Sequence, residues 1–381
     1  MTNTYTVQEL TPAQLQIIRD TIPILELSGE ALTAKFYSNM LQNNPEVRPF
    51  FNPSDQTTHR QPKILAFALL QYAKHIEDLG VLQGFVSQIV SKHVGLQVKA
   101  EHYPIVGNNL IATMGELLGP EIATPEFVAA WATAYGNLAA ILIGLEKEEY
   151  LHNPWDGFRD FIVTRIESEC ADVKSVYFKP KDPEHKISAP KRGQYVCIRW
   201  TVPGISHETS REYSLSEYPK DGHYRISVRL IPDGAVSGYV HHNLKVGDTL
   251  KVAPPCGNFV YEEGKKDVVL LVGGIGITPL ISILEQALAD GRKVKMLYSN
   301  RNEKSRAFGE YLESLKAQGL ELVEFFSENG HKLQEQDLQF VTSEHDVYLL
   351  GPRPYMKFVK DALAKREIND VHLEFFGPVE V

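Results

Sequence analysis

Among the thirteen histidines of the chain, His93 stands apart by its surroundings. In the stretch Ile89-Val90-Ser91-Lys92-His93-Val94-Gly95-Leu96, residues Ile89, His93 and Leu96 recur at the three- to four-residue spacing that places side chains on one helix face. An imidazole on an apolar face is most simply a packed core histidine. It is also what an axial heme ligand requires, a single neutral nitrogen donor in a pocket that keeps water away. The other histidines of the first 150 residues have plainer contexts. His59 lies in the polar run SDQTTHRQP, His75 has Gln71 and Asp78 as helical neighbours, and His102 follows Glu101 just ahead of a helix. His241 and His242 are adjacent, so from a regular strand they cannot both face one metal.

Two further stretches carry chemistry. The apolar run VVLLV, at residue 268, leads into Gly273-Gly274-Ile275-Gly276-Ile277-Thr278-Pro279 and then into LISILEQAL. Glycines let a backbone approach a ligand closely, and a helix N-terminus after a parallel strand is a natural seat for a pyrophosphate. Thr278 and Pro279 suit an N-cap and a first turn. The pattern is not a full GxGxxG, because Pro279 stands at the sixth position, and a structural tight turn explains it equally. In Arg211-Glu212-Tyr213-Ser214, alternation along a strand puts Arg211 and Tyr213 on one face. The arginine can neutralise a phosphate, the tyrosine can lie against a planar ring, and Ser214 can hydrogen-bond a ring nitrogen.

These residues need three kinds of scaffold. Residues 1 to about 150 have helical periodicity throughout. Thr11-Pro12 opens a helix carrying Leu15, Ile18, Ile22 and Leu25, continued by Leu32, Phe36 and Met40. Leu65, Leu69, Tyr72, Ile76 and Leu79 form a second stripe, and Tyr103, Val106, Leu110, Met114 and Leu117 a third. Thr124-Pro125 opens a last helix, in which Phe127 to Leu145 contains no charged residue. That length would just span a bilayer, but the helical spacing of Phe127, Trp131, Tyr135, Leu138, Leu142 and Leu145 predicts a buried helix, so no integral membrane segment is expected. The period changes after a linker at 150–157. From 155 to 262 short alternating runs between turn residues predict a small antiparallel β-barrel. From 265 to 381, bare apolar runs alternate with helical segments, which predicts an α/β domain with a parallel sheet.

Composition sets the outer limits. With 43% hydrophobic and 23% charged residues, the 381-residue chain reads as globular and multidomain. A net charge of −9 without any Lys/Arg cluster argues against nucleic acid as a partner. Cys170, Cys197 and Cys256 are odd in number and form no CxxC, which points to a reducing compartment, and the N-terminus has no signal-peptide pattern. A cytoplasmic protein is therefore expected, with a monomer as the simplest state.

Taken in order, Tyr195 of Gly-Gln-Tyr, Arg211-x-Tyr213-Ser214, Gly234-Ala235-Val236-Ser237, Gly274-x-Gly276-x-Thr278-Pro279, Gly351-Pro352 and Phe376-Gly377-Pro378 resemble the ferredoxin-NADP reductase superfamily over about 155–381. The resemblance implies an FAD-binding barrel followed by an NAD(P)H-binding domain. By it, Tyr195, Arg211, Glu212, Tyr213 and Ser214 contact flavin, Val236 and Ser237 support its phosphates, and Gly274, Ile275, Gly276, Ile277, Thr278 and Pro279 hold the nicotinamide nucleotide. Phe375, Phe376, Gly377 and Pro378 complete the cofactor set. Two positions depart from the pattern: Leu350 and Phe375 stand where many members carry cysteine, and hydride transfer is the property they touch.

The order Tyr37, Phe51, Gln61, Leu65, His93, Tyr103 resembles the globin domain of flavohemoglobins, over about 1–150, and the whole chain resembles that family. The resemblance makes His93 the ligand of heme b iron, with Tyr103 and Glu146 supporting it, although Glu146 by itself reads as part of a solvated EKEE run. It places Tyr37 and Gln61 beside bound O2, Leu65 where it restricts the pocket, Phe51 against the porphyrin, and Lys92 and Glu374 where they tune potentials. The implied activity is nitric oxide dioxygenation, converting nitric oxide and O2 to nitrate with electrons passing from NAD(P)H to FAD to heme. The alternatives are a hydroperoxide reductase on the same electron path and a non-catalytic oxygen-binding or sensing globin. Arg301 and Arg306 follow the second strand of the nucleotide domain, where a 2′-phosphate would lie, so either NADH or NADPH remains open.

Overall fold

The computed structural model describes residues 5–52, 59–374 and 376. The chain divides into two compact units, the first up to Gly157 with the segment Pro203–Ser210, the second Phe158–Val202 with the chain from Arg211 onward to Phe376.

The first unit is helical. Helix α1 (Pro12–Asn43) starts with a capping box, in which Thr11 accepts from the Gln14 amide and Gln14 accepts from the Thr11 amide. It runs through Pro23, whose missing N–H removes one rung of its ladder. Helices α2 (Arg60–Lys74), α3 (Gln83–Leu96) and α4 (Tyr103–Leu118) follow. Helix α5 (Pro125–Leu151) is capped by Thr124. It is long and apolar enough to cross a membrane by length and composition. Here Phe127, Ala130, Trp131, Ala134, Ala139 and Leu142 are buried in one core with Ile18, Phe36, Leu69 and Leu110, whereas Leu145 of the expected stripe opens to solvent. Trp131 Nε1 donates to Thr21 Oγ1 across that core, at 3.2 Å. The expected stripe on α4 is buried at Tyr103, Leu110 and Met114, whereas Leu117 opens to solvent near the helix end.

The second unit carries both sheets. The first contains β1 (Arg159–Cys170), β2 (Val173–Pro180), β3 (Tyr195–Trp200), β4 (Thr209–Ser214), β5 (Tyr224–Arg229) and β6 (Thr249–Val252), in the order β4-β3-β6-β1-β2-β5. The pairings of β1 with β2, β2 with β5, and β6 with β1 and β3 are antiparallel. Helix α6 (Ala235–His242) lies between β5 and β6. His241 and His242 therefore end a helix rather than sit in a strand, and His241 Nε2 bonds the Val228 carbonyl at 2.8 Å.

The second sheet is parallel, with β7 (Asp267–Gly273), β8 (Val294–Asn300), β9 (Leu320–Phe326), β10 (His345–Leu350) and β11 (His372–Leu373) in the order β11-β10-β7-β8-β9. Helices α7 (Ile277–Ala289), α8 (Gly309–Leu315) and α9 (Arg353–Ala364) connect its strands. Strands β8 and β10 flank β7, so the chain departs to both sides of it. A crevice at the carboxyl ends of such strands is where α/β sheets bind ligands. Register aligns Val272 with Tyr298 and with Leu350, which brings Gly273, Ser299 and Gly351 to that edge.

Candidate functional site

The side chain of His93 keeps 31% of its surface exposed, while Val90 and Val94 on the same helix are buried. It is therefore not a packed core histidine. Its Nδ1 lies 2.7 Å from Glu146 Oε1, and Tyr103 O–H donates to the same oxygen at 2.5 Å. Glu146 is 2% exposed, so its carboxylate sits dry between two donors. That geometry assigns the imidazole proton to Nδ1 and leaves the Nε2 lone pair with no protein partner among the described residues. A nitrogen donor left free beside half-buried Ile89 and Leu96 fits a residue that would hold the iron of a heme. Burial, then the Glu146 charge, push the Tyr103 hydroxyl well above its usual range, so it remains a donor. Tyr135 O–H holds the Tyr103 carbonyl at 2.6 Å.

Tyr37, from the last quarter of α1, is 5% exposed, and its hydroxyl accepts from Gln61 Nε2 at 3.4 Å. Burial pushes it up to about 12, against the lowering effect of the Gln61 bond. Its own proton stays available for donation. Phe51 packs edge-on to Tyr37 with ring centroids 5.5 Å apart, and Leu65 is half-buried in the same helical unit. Lys92, beside His93, is half-buried.

In the second unit, Arg211, Glu212, Tyr213 and Ser214 are all half-buried along the outer strand β4. Burial raises the Tyr213 hydroxyl well above its usual range, and its ring meets Trp200 edge-on at 6.1 Å. Trp200 Nε1 is a buried donor without a partner among the described residues. This strand therefore presents a charge, a ring and hydroxyls together, which fits a flavin nucleotide. Tyr195 is buried, and its hydroxyl is raised by burial, with Cys256, Glu212 and Glu374 adding to the effect. Val236 and Ser237 lie in the first turn of α6, but the Ser237 hydroxyl is already used by the Ile231 amide at 3.1 Å. A phosphate there would meet backbone N–H groups rather than that hydroxyl.

The glycine turn is packed too tightly for side chains. A Cβ on Gly276 would stand 2.4 Å from the Leu350 carbonyl oxygen, and one on Gly273 2.8 Å from Pro352. Gly274 has φ +52°, a left-handed conformation. Residues 274–276 form a 3-10 turn that runs straight into α7 at Ile277, so the helix begins earlier than its sequence implies. Thr278 therefore lies inside the first turn, and its hydroxyl donates to the Ile275 carbonyl at 3.0 Å instead of acting as N-cap. Leu350 is fully buried beneath the turn. Phe376 is exposed, while Phe375, Gly377 and Pro378 lie outside the described residues.

The sequence reading missed Arg229. It ends β5 in the antiparallel sheet, yet its Nη1 lies 2.6 Å from where a Gly274 Cβ would be. Asp172 holds its Nε at 3.2 Å and the Ser305 carbonyl its Nη2 at 2.9 Å. A cation is thus held over the glycine turn by two non-local partners, and nothing in the local pattern around residue 229 signals that. Arg306 is engaged by Glu324 at 2.5 Å and Glu313 at 2.9 Å, and Arg301 by Asp172 at 3.5 Å. No group of three or more candidate metal ligands occurs among the described residues.

Comparisons with known proteins cover all three parts. Residues 34–142 match a globin family model, 160–261 an oxidoreductase FAD-binding domain, and 270–361 an oxidoreductase NAD-binding domain. A flavohemoprotein of Candida albicans is 55% identical over the whole of both chains. One from Schizosaccharomyces pombe is 53% identical over 98% of this chain and 93% of its own, and one from Pseudomonas putida is 41% identical over 97% and 98%. The crystal structure of a flavohemoglobin from Malassezia yamatoensis with bound FAD and heme shares the fold (TM-score 0.87, 24% identity, covering 97% of this chain and all of the other). A flavohem-like FAD/NAD-binding domain described as part of a nitric oxide dioxygenase from Vibrio cholerae is 32% identical, with TM-score 0.54 over 58% of this chain and all of its own.

Proposed function

The chain belongs to the flavohemoprotein family, and we propose that within it this protein is a nitric oxide dioxygenase drawing its electrons from a nicotinamide nucleotide. When bound, heme supplies an iron that accepts flavin electrons singly and activates dioxygen toward nitric oxide. The observation that carries the reading is the buried Glu146 carboxylate on His93 Nδ1. A carboxylate partner gives the imidazole anionic character and strengthens its donation from Nε2, which favours oxygen activation over simple reversible carriage. Tyr37 then directs its remaining proton at the negative charge that develops on the oxygen side, and Gln61 holds that hydroxyl in place. The half-buried Phe51 and Leu65 side chains exclude water around it.

In the second unit, Arg211, Tyr213 and Ser214 bind flavin, and the 273–276 turn admits the nucleotide pyrophosphate at the start of α7, where Arg229 adds its charge. A 2′-phosphate would have to displace the carboxylates already on Arg301 and Arg306, which favours NADH. The description of the Vibrio cholerae neighbour agrees with the substrate.

Stopped-flow mixing tests the proposal. The holoprotein is reduced by NADH, or in parallel by NADPH, in air, and then mixed with nitric oxide. Loss of nitric oxide with one nitrate formed for each, slowed in Tyr37→Phe, is the expected result. Reduction of the heme without nitrate formation would overturn it, and organic hydroperoxides would then be the substrate class to try.

A further inference from the structure

Gln97 follows the last residue of α3 and is a side chain in an unusual state. Its backbone is left-handed, with φ +62°, although it is not glycine, and the residue is only 4% exposed. Strain of this kind persists where surrounding contacts over-determine it. Those contacts run in two directions. The Gln97 Nε2 donates to the Val94 carbonyl at 2.7 Å, inside the helix that carries His93. Its Oε1 accepts from the Gly157 amide at 3.0 Å and from Lys99 Nζ at 3.4 Å. Gly157, itself left-handed at φ +67°, is the last residue of the helical unit before the chain leaves for the flavin domain.

Lys99 doubles the tie. Its ammonium meets Asp156 at 2.5 Å and lies 3.8 Å from the centre of the Tyr150 ring. The Tyr150 hydroxyl donates to the Val98 carbonyl at 2.6 Å, with the His93 carbonyl 3.4 Å away, and the Val98 amide closes on that same His93 carbonyl at 2.9 Å. One connected set of bonds therefore joins the main chain of His93 to residues 156–157.

We propose that Gln97, with Lys99, is a positioning pair that clamps the departing linker to the end of the His93 helix, so that the iron ligand and the strap bearing the flavin domain share one fixed anchor. A bond to the Gly157 amide contributes nothing to helix formation, because α3 has already ended at Leu96. A helix cap alone would be served by glycine at this left-handed position at no steric cost. What a glutamine adds is reach to the linker. Electron transfer into the heme is the step that depends on holding ligand and linker together.

The inference rests on His93 as axial ligand and not on nitric oxide as substrate. The holoprotein is compared with Gln97→Gly, Lys99→Met and Gln97→Glu. Gln97→Gly removes the clamp while easing the backbone, and Gln97→Glu keeps the acceptor for the Gly157 amide and the Lys99 ammonium but gives up the Nε2 bond to the Val94 carbonyl. Three readouts are taken: NADH-driven flavin reduction, the following heme reduction, and the iron–histidine stretching band of the ferrous protein. Flavin reduction is expected to match the parent in all variants, and the melting temperature to match it in Gln97→Gly and Lys99→Met. Heme reduction should slow about tenfold in Gln97→Gly, the lower range for losing a group that orients a metal ligand, and less in Lys99→Met and in Gln97→Glu, each of which leaves part of the clamp. The stretching band should shift or broaden with the slow variants. Parent-like heme reduction and band in Gln97→Gly would overturn the proposal. So would a loss of melting temperature in step with every rate, which marks a purely structural role. A Soret band indifferent to His93→Ala would instead sink the ligand assignment beneath it.

Discussion

Glu146 accepts both the His93 and Tyr103 hydrogen bonds on one oxygen while 2% exposed. Removing its charge and keeping its shape should leave the fold and disturb the imidazole. Glu146→Gln is expected to lower the iron–histidine stretching frequency and to cut nitric oxide turnover about tenfold to a hundredfold. Unchanged values for both would show that the carboxylate only packs. Tyr37 gives a pH signature of known sign. Its hydroxyl is pushed up to about 12 by burial, whereas an unfolded tyrosine titrates near about 10. The folded form keeps a proton that the unfolded form releases between those values. Its contribution to stability is therefore complete below about pH 10 and lost as pH rises through about 12. A denaturation series in alkali should show a shallower loss in Tyr37→Phe than in the parent, and no difference between them near neutrality in this slope.

Helices α4 and α5 cross where Gly107 meets Tyr135. A Cβ at Gly107 would lie 2.4 Å from the ring, and that same tyrosine holds the Tyr103 carbonyl. Gly107→Ala should therefore cost about 1–3 kcal/mol of overpacking, read by denaturant titration, and should also weaken heme retention through Tyr103. Wild-type stability would mean the ring swings aside freely. Elements of this kind were legible in sequence where their period was uninterrupted, as in the helical stripes and the five apolar runs of the parallel sheet. They were less so where a local rule competed. Thr278-Pro279 looks like a helix start, but the preceding glycines fold into a continuous turn and move the start to Ile277. Glu146 looks solvated beside Lys147, Glu148 and Glu149, because only partners 43 and 53 residues away explain its burial. Arg229 was invisible for the same reason, since its neighbours are Asp172, Gly274 and Ser305.

At the scale of the molecule, the proposed heme and nucleotide reactions fall to separately cored units, the first holding His93 and the second the 273–276 turn. The electron path joins them in series, so damage at either end should be separable by which cofactor stops changing colour. His93→Ala removes the proposed ligand, whose side chain is part-exposed in the first unit. It should abolish the native Soret band and nitrate formation, while NADH still bleaches the flavin at the parent rate. Gly276→Val puts a branched side chain where even a Cβ would be 2.4 Å from the Leu350 carbonyl. It should raise the NADH requirement or stop flavin reduction, while a chemical reductant still reduces a heme with a parent-like spectrum. A series path demands both halves of this pattern. If His93→Ala slowed flavin reduction as well, the units would be coupled before any electron reached the iron, and the nucleotide and heme reactions could no longer be treated as successive steps.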